Sequence, residues 1–231
     1  MASAGAASDD SRPLKGLVIV ITGASTGLGA ECARQASAEG ARVVLAARRQ
    51  PELEAVAEQC PQSVAVVADV TRREDVERLA AQAIASFGHF DVWINNVGKG
   101  ISRAPTELTG DDIDQMMDIN VKTALYGMQV AVAHFKERGS GQVLNVSSNL
   151  GRVPSVLPRA AYSASKHFLN ALTANFRDEL RESHPEITVG LRGCSHHTKP
   201  SFLPLHCMCV RARFSPLCVP CPCPCACCRS P

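Results

Sequence analysis

The chain lacks the features that would place it in or across a membrane. No apolar run reaches the roughly 18 residues of a membrane-spanning helix. Residues 1–11 are small and polar, without the basic start and apolar stretch of a secretory signal. The net charge of +2, with 20% charged residues, also argues against a nucleic-acid binder. We therefore expect a soluble cytoplasmic protein that binds no nucleic acid and does not span a membrane.

Cysteine is scarce over most of the chain. Only Cys32 and Cys60 precede position 194, whereas nine of the eleven cysteines lie between Cys194 and Cys228. Because disulfides are not expected in a reducing cytosol, this cluster is not read as a disulfide framework. It offers soft metal ligands, but its Cys-Pro-Cys-Pro-Cys repeat lacks the two spaced pairs of a zinc site. No metal site is therefore predicted.

The rest of the sequence alternates short β-branched runs with longer helical patterns. The apolar runs are continuous, which is typical of strands buried on both faces of a parallel sheet. The predicted strands are residues 17–22, 42–46, 64–68, 91–94, 142–147 and 187–191, and the best predicted helices are 30–38, 74–87, 111–136 and 160–182. This order predicts an α/β fold with a doubly wound, Rossmann-type parallel sheet and helices on both faces.

The end of the chain departs from that pattern. A further strand is expected after residue 191, but a proline- and cysteine-rich segment follows, and seven of the fourteen prolines lie beyond Gly193. We therefore predict that the last strand of the sheet is missing. The expected organisation is a disordered N-terminus (1–12), one dinucleotide-binding domain (13–191) and a disordered tail (192–231).

A glycine-rich turn joins the first strand to the first helix. Glycine at positions 23, 27 and 29 allows a tight turn and a close approach to a pyrophosphate, which the helix N-terminus attracts. An ordinary strand-to-helix turn is the alternative. The position directly after a buried strand favours cofactor binding, and the predicted contacts are Gly23, Ser25, Thr26, Gly27, Leu28 and Gly29.

The second strand ends in Ala47-Arg48-Arg49, at the place where a carboxylate would bind the ribose 2′-hydroxyl of NAD. Here Ala47 would not repel a 2′-phosphate, and the two arginines would attract it. We therefore predict NADPH as the cofactor. The alternative is that Arg48 and Arg49 form a solvated pair of loop charges.

Polar residues also follow the third and fourth strands. Because ligands of open α/β sheets bind at the carboxyl ends of the strands, we expect Asp69 and Val70 near the adenine. Asn96 and Gly98 are expected beside the adenosine ribose. Taken singly, Asp69 would be a helix or turn cap and Asn96 part of a turn.

Tyr162 and Lys166 lie four positions apart on one predicted helix, and therefore on one face of it. An ammonium beneath the phenol lowers the pKa of a tyrosine from about 10 toward the working pH. Such a phenol exchanges a proton with a carbonyl oxygen while a hydride is transferred at carbon. The same lysine is placed to bond the nicotinamide ribose. This spacing occurs by chance on many helices, so it is informative only together with other motifs.

Two further polar residues extend this candidate catalytic group. Ser148 ends the fifth strand, fourteen positions before Tyr162, where its hydroxyl would polarise a substrate carbonyl. Ser147 is the competing candidate, and either serine could instead satisfy its own backbone. Asn120 lies among apolar residues, where its amide would hold a water linking Lys166 to solvent, or act structurally by bending the helix.

In order and register, these motifs resemble those of the classical short-chain dehydrogenase/reductase family over about residues 14–191. The resemblance implies an NAD(P)H cofactor and a catalytic tetrad of Asn120, Ser148, Tyr162 and Lys166. It also places Arg48 at the position that selects NADPH. The predicted protein is an NADP-dependent oxidoreductase that interconverts the carbonyl group and the alcohol of a small ketone or aldehyde, with Tyr162 as acid and base.

The resemblance stops after residue 191. Family members continue with a Pro-Gly turn, a segment that covers the substrate and a seventh strand, whereas this chain continues Arg192-Gly193-Cys194. Homo-oligomers occur in the family, but the elements that often form the interface are expected to be missing here. The alternative function is a truncated, catalytically inactive dinucleotide-binding protein.

Overall fold

The computed structural model describes residues 14–153 and 157–194. Its strands are β1 (Val18–Thr22), β2 (Arg42–Ala47), β3 (Ser63–Val67), β4 (Val92–Asn95), β5 (Gly141–Ser148) and β6 (Ile187–Cys194). Its α-helices are α1 (Gly27–Ala38), α2 (Gln50–Ala57), α3 (Arg73–Phe87), α4 (Gly110–Met117), α5 (Thr123–Arg138) and α6 (Ala160–Ser183). A π-helical turn, Asp118–Lys122, joins α4 to α5, and short 3-10 helices cover Pro105–Glu107 and Asn149–Gly151.

The six strands form one parallel sheet in the order β3-β2-β1-β4-β5-β6. The chain runs outward from β1 to β3, returns to β4 and then runs outward on the other side. Strand order therefore reverses between β1 and β4, which leaves a crevice at their carboxyl ends. The predicted doubly wound α/β fold is confirmed.

The two faces of the sheet bury separate apolar cores. Val18 and Val20 of β1 belong to the core that contains Trp93, whereas Ile19 and Ile21 belong to the core on the other face. All four β1 side chains are fully buried. Burying such a side chain contributes about 1.5–3 kcal/mol, so both faces hold the central strand in place. This packing explains the continuous apolar runs in the sequence.

All six predicted strands and all four predicted helices are present, with small differences at their ends. Helix α2 was not predicted, because its eight residues bury only Leu53 and Val56 and give little periodic pattern. The predicted helix 111–136 consists of α4, the π-helical turn and α5. Apolar residues keep a helical spacing on either side of such a turn, so the interruption is not evident from periodicity.

The prediction that a disordered tail begins at residue 192 is wrong for residues 192–194. They continue β6 and pair with residues 146–148 of β5. Backbone hydrogen bonds of a strand do not depend on the side chains, so the pairing extends into the segment of altered composition. The predictions of disordered ends and of a missing last strand concern residues 1–12 and 195–231, which lie outside the described residues. In the described part, no helix has both the length and the apolar content needed to cross a membrane.

Candidate active site

A cleft of about 600 Å³ runs along the carboxyl ends of β1 to β5. It brings together twelve residues that the sequence predicted for the site: Gly23, Ser25, Thr26, Leu28, Arg48, Arg49, Asp69, Val70, Asn96, Gly98, Tyr162 and Lys166. Four other predicted residues, Gly27, Gly29, Asn120 and Ser148, are not among those that line it. The topology thus gathers predicted residues from five separate segments into one groove.

The glycine-rich turn has the backbone that its sequence predicts. Gly23 and Gly27 have positive φ angles of 68° and 60°, which residues with a side chain rarely adopt. A Cβ atom on Gly29 would lie 2.3 Å from the carbonyl oxygen of Gly23, so only glycine fits there. Thr26 precedes α1 but makes no capping bond with its side chain. Because helix N-termini attract phosphate, this end of α1 fits a pyrophosphate.

Asn96 fastens this turn to the end of β4. Its side-chain amide donates hydrogen bonds to the carbonyl oxygens of Thr22, at 3.0 Å, and Gly23, at 3.3 Å. Its backbone N–H donates to the Thr22 hydroxyl, which in turn donates to the carbonyl oxygen of Ile94. Asn96 therefore shapes the turn as well as lining the cleft.

The two arginines after β2 have different surroundings. The Arg49 guanidinium donates to the hydroxyls of Thr26, at 3.1 Å, and Ser25, at 3.4 Å, and pairs with Glu52 at 2.9 Å. Arg48 is more exposed and lies 3.9 Å from a carboxylate oxygen of Asp69. Arg49 is thus held beside the glycine-rich turn, whereas Arg48 lies beside Asp69.

Asp69 accepts hydrogen bonds from the backbone N–H and the hydroxyl of Thr71, as the turn-cap alternative expected. Its own N–H donates to Asp75 at 2.8 Å. The hydrogen bonds from Arg78 and from this N–H lower the pKa of Asp75 below its usual range. Asp75 therefore stays ionised and anchors the turn that carries Asp69.

Helix α6 places Tyr162 and Lys166 together in the cleft. The Lys166 ammonium lies 5.8 Å from the centre of the Tyr162 ring and donates to the carbonyl oxygen of Val146 at 2.9 Å. Lys166 is buried, and its charge faces the end of β5. The helical spacing read from the sequence thus brings a cation beside a phenol, as expected.

Asn120 lies in the π-helical turn and is buried. Its side-chain oxygen accepts from the backbone N–H of Lys99 at 2.8 Å. Its nitrogen donates to the Lys99 carbonyl at 2.9 Å and to the Ser165 hydroxyl at 3.0 Å. The amide therefore ties the segment after β4 to α6, in agreement with the expectation that it would not be buried without partners.

The adjacent serines at the end of β5 differ in what their hydroxyl groups do. Ser147 lines the cleft, but its hydroxyl donates to the Asn170 side-chain oxygen. Ser148 is buried, and its oxygen accepts from the backbone N–H of Leu150 at 3.2 Å. Within the described residues, the Ser148 hydroxyl hydrogen has no acceptor, whereas that of Ser147 is used by Asn170.

Two cations in the lining, Lys99 and Arg159, were not predicted. Lys99 directly follows the predicted segment that ends at Gly98, and Arg159 precedes Tyr162 by three positions. Arg159 precedes the first residue of α6, so this spacing does not by itself place its guanidinium in the cleft. In the described part of the chain, no cluster of three or more histidine, cysteine or acidic residues is arranged to hold a metal.

A family model described as short chain dehydrogenase matches residues 17–194 of the chain. The uncharacterized oxidoreductase YxnA of Bacillus subtilis is 37% identical over 185 residues, which are 78% of this chain and 52% of that protein. The chain therefore spans about half the length of that relative. An uncharacterized oxidoreductase of Staphylococcus epidermidis is 32% identical over 176 residues, 76% of each chain.

Solved structures with the same fold include a short chain dehydrogenase from Mycobacterium smegmatis, with a TM-score of 0.77 and 27% identity over 82% of each chain. A Burkholderia phymatum short chain dehydrogenase/reductase in complex with NAD has a TM-score of 0.74 and 26% identity, covering 78% of this chain and 66% of that one. The 3-ketoacyl-(acyl-carrier-protein) reductase of Brucella melitensis, complexed with NADH, has a TM-score of 0.73 and 29% identity, covering 78% of this chain and 76% of that one.

Proposed function

Because this chain belongs to the short-chain dehydrogenase family, we propose that it uses NADPH to interconvert the carbonyl group and the alcohol of a small molecule by hydride transfer. Membership makes it an oxidoreductase with a nucleotide-binding Rossmann-type fold. The observation that carries the proposal is the placement of Tyr162 and Lys166 in the same cleft as the glycine-rich turn.

The residues present fit a dinucleotide. The glycine-rich turn and the N-terminus of α1 would hold the pyrophosphate, and no side chain intrudes at Gly29. Asp69 and Val70 would contact the adenine, and Asn96 and Gly98 the ribose next to it. Lys166 would bond the nicotinamide ribose. When bound, the nicotinamide supplies or accepts the hydride.

Preference for NADPH is proposed on the charges after β2. Ala47 leaves no carboxylate at the end of that strand, and two guanidinium groups follow it. The ion pair between Arg48 and Asp69 offsets part of one charge, whereas Arg49 lies beside the turn that would hold the phosphates. A 2′-phosphate accepts charge-assisted hydrogen bonds from such a guanidinium. The cofactors named for the Burkholderia and Brucella proteins are NAD and NADH, so the preference is proposed for this chain alone.

Tyr162 acts as the acid and base of the proposed reaction. Its phenol donates a proton to the carbonyl oxygen during reduction and accepts one during alcohol oxidation. The Lys166 ammonium near the ring favours the phenolate and so eases the transfer of the proton. Ser148 donates its hydroxyl hydrogen to the same carbonyl oxygen and orients it.

Asn120 is proposed to hold a water that links Lys166 to solvent. The Asn120 oxygen and the Lys166 nitrogen lie 3.3 and 3.4 Å from the position that a Cβ on Gly98 would occupy. A gap bordered by two polar groups suits a water, which needs at least two hydrogen-bonding partners. The structural alternative also has support, because Asn120 bonds the backbone of Lys99.

The test is NADPH oxidation by purified protein with a panel of aldehydes and ketones. Tyr162→Phe is expected to lower kcat by about 100- to 10,000-fold while fluorescence titration shows that NADPH still binds. Tyr126→Phe is the matched control, because Tyr126 is the other tyrosine of the chain and does not line the cleft. NADPH is expected to give a higher kcat/KM than NADH.

An unchanged rate in Tyr162→Phe would show that the assigned mechanism is wrong. If the wild type bound NADPH but oxidised it with no carbonyl compound, the result would favour the alternative of a catalytically inactive dinucleotide-binding protein.

A further inference from the structure

Besides the cations predicted from the sequence, Lys166 among them, two further cations line the cleft that holds the candidate catalytic phenol. Arg159 and Lys99 both line it, together with Tyr162 and the backbone of Gly100. The position that a Cβ on Gly100 would occupy lies 3.3 Å from Arg159 Nη1 and 3.8 Å from Tyr162 Cδ2. The guanidinium and the phenol ring therefore lie within about 7 Å of each other.

Among the residues that the structure describes, neither cation is paired with an acidic side chain. Arg159 is partly buried, and within residues 14–153 and 157–194 its side chain makes no hydrogen bond or ion pair. Lys99 donates to the side-chain oxygen of Gln115 at 3.1 Å, which is a neutral acceptor. The acid that lines the described cleft is Asp69, and it lies beside Arg48 at the adenine end.

A nearby arginine, Arg103, is paired with an acidic side chain, unlike Arg159. Arg103 bonds the carboxylate of Asp112 at 3.1 Å and donates its backbone N–H to the carbonyl oxygen of Pro158, just before Arg159. Asp112 is thus already paired with another cation, Arg103. Within the described residues, Arg159 and Lys99 therefore line the cleft without a carboxylate partner.

We propose that Arg159, assisted by Lys99, binds an oxyanion group of the substrate, so that the preferred carbonyl compounds and alcohols are acidic. The inference rests on the proposed function, because it assigns the substrate class of the same site. The planar guanidinium donates two parallel hydrogen bonds to a carboxylate, and Lys99 adds a second positive charge. Arg159 is therefore a specificity-determining residue that fixes one end of the substrate while its carbonyl faces Tyr162.

The separation between Arg159 and Tyr162 suggests a suitable probe. In 4-(hydroxymethyl)benzoate the alcohol and the carboxylate lie at opposite ends of one benzene ring, and the methyl ester removes the charge with little change of shape. Calorimetric titration of the full chain with saturating NADPH measures binding without turnover, since the alcohol is not oxidised by the reduced cofactor.

The acid is expected to bind roughly 10- to 100-fold more tightly than the ester, because a charged hydrogen-bonded contact is lost in the ester. Arg159→Gln should remove the difference, Arg159→Lys should keep part of it, and Lys99→Gln should reduce it. Arg177→Gln is the control, since it removes the same charge from α6 at an exposed site outside the cleft. Equal binding of acid and ester, binding of neither, or a preference retained in Arg159→Gln would overturn the inference.

Turnover of the corresponding aldehydes separates this inference from the proposed function. The wild type should reduce 4-carboxybenzaldehyde with a higher kcat/KM than methyl 4-formylbenzoate. Arg159→Gln should lower the kcat/KM for 4-carboxybenzaldehyde and leave that for the ester unchanged. Absence of turnover with either aldehyde counts against hydride transfer to these carbonyls, while the titration still decides the anion site. Equal reduction of both aldehydes would support the proposed function and contradict the inference.

Discussion

Ser147 and Ser148 are neighbours in the chain whose hydroxyl groups face different partners. The Ser147 hydroxyl donates to Asn170, whereas the Ser148 oxygen accepts from the N–H of Leu150. A hydroxyl has a single hydrogen to donate, so the one used within the fold is not available to a substrate oxygen. The hydrogen-bond directions therefore favour Ser148 for the proposed role, although it is Ser147 that lines the cleft.

We predict that Ser148→Ala lowers kcat/KM for carbonyl reduction by roughly 100-fold, the usual loss when one donor to a developing oxyanion is removed. Ser147→Ala should lower the melting temperature by leaving Asn170 without its donor, with a smaller effect on the rate. Steady-state kinetics and a thermal melt on both variants make the comparison, with Ser148→Thr as the variant that keeps a hydroxyl. A larger rate loss in Ser147→Ala would assign the role to Ser147 instead.

At the scale of elements, helix α5 packs on β4 through a glycine that faces a buried polar network. Trp93 donates its indole N–H to the Asn95 side-chain oxygen at 2.8 Å, and Asn95 donates to Asn145 at 2.8 Å. A Cβ on Gly127 would lie 2.1 Å from that Asn95 oxygen. The small residue allows α5 to approach the sheet closely enough to enclose these polar groups.

Gly127→Ala is expected to lower the free energy of unfolding by about 1–3 kcal/mol, the usual cost of overpacking a buried site. Urea denaturation followed by circular dichroism measures the loss. Gly110→Ala, at the start of α4, is the matched control, because a Cβ there meets no atom within 4 Å. Equal stability of the two variants would mean that α5 shifts freely on the sheet, contrary to this packing.

The sequence predicted these elements better than it predicted their interruptions. Apolar runs were sufficient to predict the positions of the strands, because each strand of this buried parallel sheet is a short run of apolar residues. The π-helical turn that places Asn120 was not predictable, because its hydrogen bonds to Lys99 and Ser165 come from distant segments. Arg159 was missed for the same reason, since only the folded chain shows it beside Gly100.

At the scale of the whole molecule, a histidine away from the cleft makes stability depend on pH. His134 stacks on Phe90 with ring centres 4.1 Å apart and accepts a hydrogen bond from the Phe90 N–H. Burial lowers the pKa of His134 below its ordinary value of 6.5, and the Arg138 and His89 side chains act in the same sense, against Glu137. The folded protein therefore favours the neutral ring.

Because the pKa is lower in the folded state, the unfolded chain binds the proton first as pH falls below about 6.5. The contribution of His134 to stability is complete above that value and is lost as pH falls through the folded-state pKa. We predict that the melting temperature of the wild type falls between about pH 8 and pH 5. The decrease should be shallower in His134→Gln, which keeps an acceptor but does not titrate. His184→Gln controls for removal of a histidine outside this ring stack, and identical pH profiles of His134→Gln and the wild type would contradict the assignment.

The sequence by itself determined the α/β fold, the glycine-rich turn and the pairing of Tyr162 with Lys166. These features depend on local patterns, namely apolar runs, positive φ angles at glycine and the four-residue spacing of a helix. Only the tertiary structure decided which cations flank the phenol, which serine keeps a hydrogen to donate, and how far β6 continues. Those properties depend on contacts between segments far apart in the chain, and neither residue type nor spacing specifies them.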